Sequence, residues 1–328
     1  MISPDDIKRV CEQYGLGTYT SIDVVAEGVL NENYIITTDS GRYFVKSVRE
    51  KSRTKIPEIY GIESWMKLKG IPAIAMRTTL QGEICVAGDH ELYTLYEYVE
   101  SDRSHAYSLE DYLNMGAMLG KIHIVGKEHP PISLKIKEFG RPSPEIISDR
   151  LGNFRKLILD KTSPNETDGL MLEYIDFKLD VLQHIDSIFL PNDTITHGDY
   201  QTGNIMIDSA SRKIIGICDW EKTEFAPRSY EVARAIFYIC FQQSTDLNQN
   251  LRAMKEFLKG YRTMCSIGAE ELMRGIHMRI AKMAMSAWVE DMYYNQHSDR
   301  ANHFITSEIR IMELAIKGNL YKELEANF

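Results

Sequence analysis

Apolar residues change their spacing once along this chain, near residue 100. Before that point the pattern is mostly that of strands. SPDDIKRVCEQYG opens as a short capped helix, with Ser3 ahead of Pro4 and two acids, and Gly15 as its stop. SIDVVAE, NYIITTD and RYFVKSV follow as strands, and Asp39 to Gly41 form the turn between the last two. From Ile56 to Lys69 the apolar positions Ile59, Ile62 and Met66 recur at helical spacing until Gly70 and Pro72 close the segment. AIAMRTTLQGEICV, with QGE as a turn, and ELYTLYEYV return to strand character. The expectation is an antiparallel arrangement of five strands with one inserted helix.

After Ser101 the period becomes helical. SLEDYLNMGAMLGKIH starts with Ser108 as cap and Asp111 at the reciprocal position, and Leu113, Ala117 and Gly120 allow close packing. Residues 129–144 contain four prolines and read as a connection, 145–190 as two or more helices, and 226–328 as almost entirely helical. The Met-rich run RGIHMRIAKMAMSAW keeps Ile276, Ile280 and Met283 on one face, which predicts core packing instead of a peptide-binding surface. The chain therefore divides into residues 1–99 and 100–328, and the class is α+β.

Composition narrows the partners. A net charge of -9 supplies no basic field for a polyanionic backbone, so nucleic acid is not expected. Five widely spaced cysteines without a C-x-x-C pair read as reduced thiols. No run approaches a membrane span and the start lacks a signal-peptide pattern, so the expected compartment is the cytoplasm, with no membrane partner. Oligomeric state stays open.

The chemistry concentrates between His197 and Glu221. HGDYQTGN is a polar bend, IMI a short apolar strand, DSASRK a turn, IIGIC a second strand, and DW follows. If the two strands pair as a hairpin, Asn204 and Asp219 lie at the same end of it, and Asp199 hangs on the loop just before. An amide oxygen beside a carboxylate suits a magnesium ion that keeps waters and phosphate oxygens, while Asp199 is left to accept a proton from an attacking hydroxyl. His197 fits a structural role better than that of a second base, because Asp199 already serves.

Together these motifs resemble the catalytic and metal loops of the aminoglycoside phosphotransferase and choline kinase family, small-molecule relatives of the protein kinases. The resemblance implies a two-lobed protein-kinase-like fold, with a five-stranded antiparallel N-terminal sheet carrying one helix and a mainly helical C-terminal lobe. It further implies a nucleotide loop at EGVLNENY, with Gly28 and Asn31. Lys46 would reach the α and β phosphates, held by Glu63 of the helix in preference to Glu58. Glu97, Tyr98 and Val99 would meet the adenine edge through their backbone. Glu231 would secure the metal loop, with Arg228 and Arg234 in one structural network around it, and His123 would be a buried, satisfied histidine. Gln201 and Thr202 depart from the family pattern, but the metal and base positions remain intact.

The implied reaction moves the γ-phosphoryl group of ATP or GTP, with Mg2+, to a hydroxyl of a small metabolite. Amino sugars, aminoglycosides and amino alcohols, including choline-like and homoserine-like compounds, are the acceptor classes. WVEDMYYNQHSD offers an aromatic and acidic wall through Trp288, Glu290, Asp291 and Tyr294. The alternative is a non-catalytic kinase-like interaction or coat protein; a protein kinase is disfavoured by HGD in place of H-R-D and by the missing D-F-G and A-P-E.

Overall fold

The computed structural model describes residues 2–25, 32–101, 106–128, 134, 136, 143–184, 190–242, 244, 246–316 and 320. The first helix, α1 (Pro4–Tyr14), is capped by the Ser3 side chain and ends at Gly15 in the left-handed region, φ 65°. Strands β1 (Tyr19–Val25), β2 (Asn33–Thr38) and β3 (Gly41–Arg49) precede α2 (Ile56–Leu68), and β4 (Val86–Ala87) and β5 (Glu91–Glu97) follow it. They form one antiparallel sheet in the order β1-β2-β3-β5-β4.

Strand alternation gives the sheet two unlike faces. Tyr34, Ile36, Tyr43, Val45, Tyr93 and Leu95 are buried against Ile7, Val10 and Tyr14 of α1. Lys46 follows Val45 on β3, directly across from Thr94 of β5, and so lies on the opposite face. The expected long hairpin in AIAMRTTLQGEICV shrinks to Val86–Ala87, a correction with a clear cause. The backbone of residues 72–77 bonds elsewhere: Ile74 N–H donates to Ile217 O, Pro72 O accepts from Ile217 N–H, and Arg77 N–H donates to Leu95 O.

The helical part comprises α3 (Leu109–Val125), α4 (Pro144–Leu159), α5 (Glu166–Gln183), strands β6 (Thr194–Thr196), β7 (Ile205–Ile207), β8 (Ile214–Ile217) and β9 (Glu224–Ala226), then α6 (Arg228–Ala235), α7 (Leu247–Met264), α8 (Ala269–Ala284), α9 (Trp288–Tyr294) and α10 (His303–Ile316). Ser108 and Asp111 complete a capping box at the start of α3. This helix packs on α7 at a distance only glycine permits, since a Cβ on Gly116 would lie 1.9 Å from Phe257 O. Ile276, Ile280 and Met283 are buried in the large core, which also takes in Ile62, Trp65 and Met66 of α2. Among the described residues no helix is long and apolar enough to cross a membrane.

Candidate active site

Two small antiparallel pairs frame the site. β6 pairs with β9, and β7 with β8 in the register Ile205↔Ile217. The loop from His197 to Asn204 runs from the first pair into the second, and the loop from Cys218 to Thr223 returns. Cys218 N–H donates to Asn204 O at 3.0 Å, so Asn204 and Asp219 sit at one end of the hairpin. Its far end is tied to α3, where Arg212 pairs with Asp111 and its carbonyl accepts from Asn114 Nδ2 at 3.1 Å.

Asn204 also reaches back, donating Nδ2–H to Asp199 O at 2.9 Å. That bond turns the amide nitrogen toward Asp199 and leaves the amide oxygen as the acceptor end. Asp219 has a left-handed backbone, φ 65°, uncommon outside glycine and found at sites where surrounding structure enforces it.

Glu231 anchors the start of the His197–Asn204 loop. Its buried carboxylate accepts His197 N–H at 3.0 Å, Gly198 N–H at 2.5 Å and His123 Nε2–H at 2.8 Å, and His123 Nδ1 lies 2.8 Å from Tyr261 Oη. Burial works to raise the Glu231 pKa, but the hydrogen bond and charge of His123 outweigh it and hold the acid low. Gly198, at φ 77°, passes so close to Lys222 O that a Cβ would lie 1.9 Å away.

His197 is buried, its ring centred 4.4 Å from the Trp220 ring and tilted 50° to it. Its Nδ1 accepts Asp199 N–H at 3.2 Å and its Nε2–H donates to Cys218 O at 3.0 Å, which joins the two loops through one neutral ring. Burial lowers its pKa against the pull of Glu231, Asp199 and Asp219.

The Asp199 side chain is bracketed by cations. Oδ2 accepts from Lys222 Nζ at 2.8 Å and Oδ1 pairs with Arg234 Nη2, while Arg234 Nη1 donates to Gly198 O at 2.6 Å. Burial opposes ionisation, yet Arg234 and then Lys222 overcome it and pull Asp199 down to about 2. The group is an anion throughout the neutral range.

Lys46 extends from the sheet to this cluster. Its Nζ lies 3.2 Å from Asp219 Oδ1 and also pairs with Glu221. Burial disfavours the ammonium, but Asp219 and Glu221 more than compensate and raise its pKa. The close ion pairs are with Asp219 and Glu221, and Glu63, which the resemblance implies as the partner, feels Lys46 only through its charge. Glu63 is buried, accepts Met76 N–H at 3.0 Å and lies 3.5 Å from Tyr96 Oη; burial lifts its pKa to about 8, so at neutral pH it offers Lys46 little charge. Beside this cluster, α2 and residues 220–224 enclose a cavity of about 140 Å³.

Other expected residues fall elsewhere. Gly28 and Asn31 lie outside the described residues. Glu97, at the end of β5, pairs with Arg77 at 3.1 Å, Arg42 lies 4.1 Å over the Tyr98 ring, and Val99 is half-buried. Arg228 does not join Glu231: it donates to Glu271 at 2.8 and 3.1 Å and pairs with Asp193, leaving Arg234 as the arginine of the loop. The acceptor wall on α9 is also corrected. Glu290 is fully buried in a 2.9 Å pair with Lys178, Asp291 pairs with Arg150, Tyr294 donates to Asp168, and Trp288 packs on Phe304. These contacts run to α4, α5 and α10. Sequence reasoning assigned nothing to Glu221 or Lys222, although the alternating charges of DWEK were the available signal.

A five-stranded sheet set over helices, with Asp199, Asn204 and Asp219 gathered near a sheet lysine, defines a protein-kinase-like phosphotransferase fold. The model of the phosphotransferase enzyme family, APH, matches residues 21–266, and the chain belongs to that family. A solved structure of spectinomycin phosphotransferase with ADP and spectinomycin covers 100% of this chain and 98% of its own, with TM-score 0.68 and 17% identity. The microcompartment-associated aminopropanol kinase covers 95% and 97%, with TM-score 0.61 and 14% identity. Among curated proteins, the homoserine kinase of Neisseria meningitidis is 22% identical over 270 residues, 82% of each chain.

Proposed function

We propose that this small-molecule phosphotransferase transfers the γ-phosphoryl group of ATP or GTP to the hydroxyl of a small amino-bearing metabolite, with Asp199 orienting and deprotonating the acceptor. The observation that carries this reading is the 3.2 Å approach of Lys46 Nζ to Asp219, which brings a sheet cation to the acid end of the β7–β8 hairpin.

Asn204 Oδ1 and Asp219 are the residues that would hold Mg2+, which when bound supplies charge neutralisation for the phosphates. The donor set fits such an ion. Among the described residues no group of three or more His, Cys, Asp or Glu is placed to hold a metal ion by itself, and magnesium commonly takes one or two protein oxygens together with phosphates and waters. Lys46 would position the phosphates, and Glu97 to Val99 would offer backbone to the nucleotide base. Asp199, held anionic by Arg234 and Lys222, keeps free lone pairs for the acceptor O–H. A loose transition state asks for position more than basicity, so a carboxylate of low pKa suffices.

Homoserine kinases among the curated relatives support a small hydroxy amino acid or amino alcohol as acceptor. Screening nucleotide consumption against amino alcohols, hydroxy amino acids, sugars and aminoglycosides identifies the acceptor. With it, Asp199→Ala should nearly abolish single-turnover transfer and leave nucleotide affinity largely intact. Equal rates in variant and wild type would defeat the assignment.

A further inference from the structure

Glu221 stands in the single 3-10 turn, Trp220–Lys222, that follows Asp219. That turn is fixed at three points. The buried Trp220 indole donates Nε1–H to Ile217 O at 3.1 Å, Thr223 N–H donates to Trp220 O at 3.1 Å, and Lys222 Nζ reaches Asp199 at 2.8 Å. Glu221 is thus carried on anchored backbone, and its carboxylate pairs with Lys46 Nζ. The Lys46 side chain is only 14% exposed and that of Glu221 34%, so the pair is partly shielded from water and screened less than one on the open surface.

A lysine in such a place needs a partner, because its stem is flexible and ordering it is among the costlier side-chain terms. Three carboxylates are near enough to act. Glu63 of α2 is buried and already accepts Met76 N–H at 3.0 Å, with the Tyr96 hydroxyl at 3.5 Å. Asp219 lies 3.2 Å from Lys46 Nζ but is also a residue that would hold Mg2+. Glu221 has neither commitment. An ammonium carries three N–H bonds, so Lys46 can keep Glu221 and still offer another to a phosphate oxygen.

We infer that Glu221 is the positioning residue of Lys46, aiming its ammonium at the nucleotide phosphates in the place the resemblance gives to Glu63. This rests on the phosphotransfer reading above and deepens it. One turn of chain then orients three parts of the site together: Asp219 itself, Lys46 through Glu221, and Asp199 through Lys222.

The test is calorimetric titration of ADP in the presence of EDTA, where Lys46 meets the phosphates without help from a divalent ion. Glu221→Gln should weaken ADP binding by about tenfold, the factor that ordering one lysine side chain is worth. Glu221→Asp, which keeps the charge on a shorter arm, should recover part of that loss, and Glu63→Gln should weaken binding less than Glu221→Gln does. In a Lys46→Met background Glu221→Gln should have little further effect, because the residue acts through the lysine. Titration of a non-hydrolysable ATP analogue with and without Mg2+ should show that Glu221→Gln keeps its magnesium dependence. Thermal melting of each variant reports folding.

Unchanged or tighter ADP binding in Glu221→Gln, an equal loss in the Lys46→Met background, a larger loss in Glu63→Gln, or loss of magnesium dependence in Glu221→Gln would each overturn the assignment and leave phosphotransfer standing. Failure of wild type to bind either nucleotide would instead overturn the reading beneath it, and the assignment with it.

Discussion

Replacing Glu231 with glutamine keeps the side chain's size and removes its charge. The native carboxylate accepts three buried N–H groups, from His197, Gly198 and His123. An amide has one oxygen, and its NH2 end is a donor. At least one N–H therefore loses its acceptor and faces another donor. A hydrogen bond to a charged group contributes about 1.5–3 kcal/mol and a stranded buried donor costs about 1–3 kcal/mol, so the substitution should cost about 3–5 kcal/mol. At ~2–4 °C per kcal/mol for a unit of this size, melting should fall by about 10 °C. Differential scanning fluorimetry reads that fall, and kcat measured well below melting reads the displaced loop. Both should drop, and Glu231→Gln combined with His123→Gln should cost less than the two alone, because they share one carboxylate. Melting within about 2 °C of wild type, with unchanged kcat, would refute the claim that this acid positions the catalytic loop.

Further expectations concern the loop itself. His197 is held neutral by burial, with a folded pKa below its usual 6.5, so its stabilisation is complete above that value and is lost as pH falls toward the folded one. Wild type should melt lower at pH 5.5 than at 7.5, and His197→Gln should lose part of that slope; an identical slope in both would remove His197 from the account. Gly198→Ala places a Cβ 1.9 Å from Lys222 O at φ 77°. With left-handed backbone costing a non-glycine residue about 1–2 kcal/mol before the clash is counted, the variant should lose stability and turnover together. Gly152→Ala, within α4 and with open space around it, is the control and should be neutral or slightly stabilising by melting.

Much of the fold is local enough to be read from the chain. The Ser3 and Ser108 caps, the Gly15 stop and the β7–β8 hairpin follow from neighbouring residues, and each stands in the structure at its expected place. Residues 72–77 were misread because their backbone partners lie in β5 and β8, which no window of neighbouring residues reveals. The same holds for charges. Lys46 meets Asp219, 173 residues on, and Glu290 is neutralised by Lys178, 112 residues back, so spacing along one helix revealed neither ion pair. Arg228 and Arg234 look equivalent in EFAPRSYEVARAIF, yet α8 claims one through Glu271 and the catalytic loop the other.

The central claim is that Asn204 and Asp219 hold the cation that accompanies the nucleotide. Calorimetric titration of a non-hydrolysable ATP analogue, with and without Mg2+, into wild type and Asp219→Asn tests it most directly. The account requires tight, magnesium-dependent binding in the wild type and loss of that dependence in the variant. The same magnesium dependence in both proteins would contradict it.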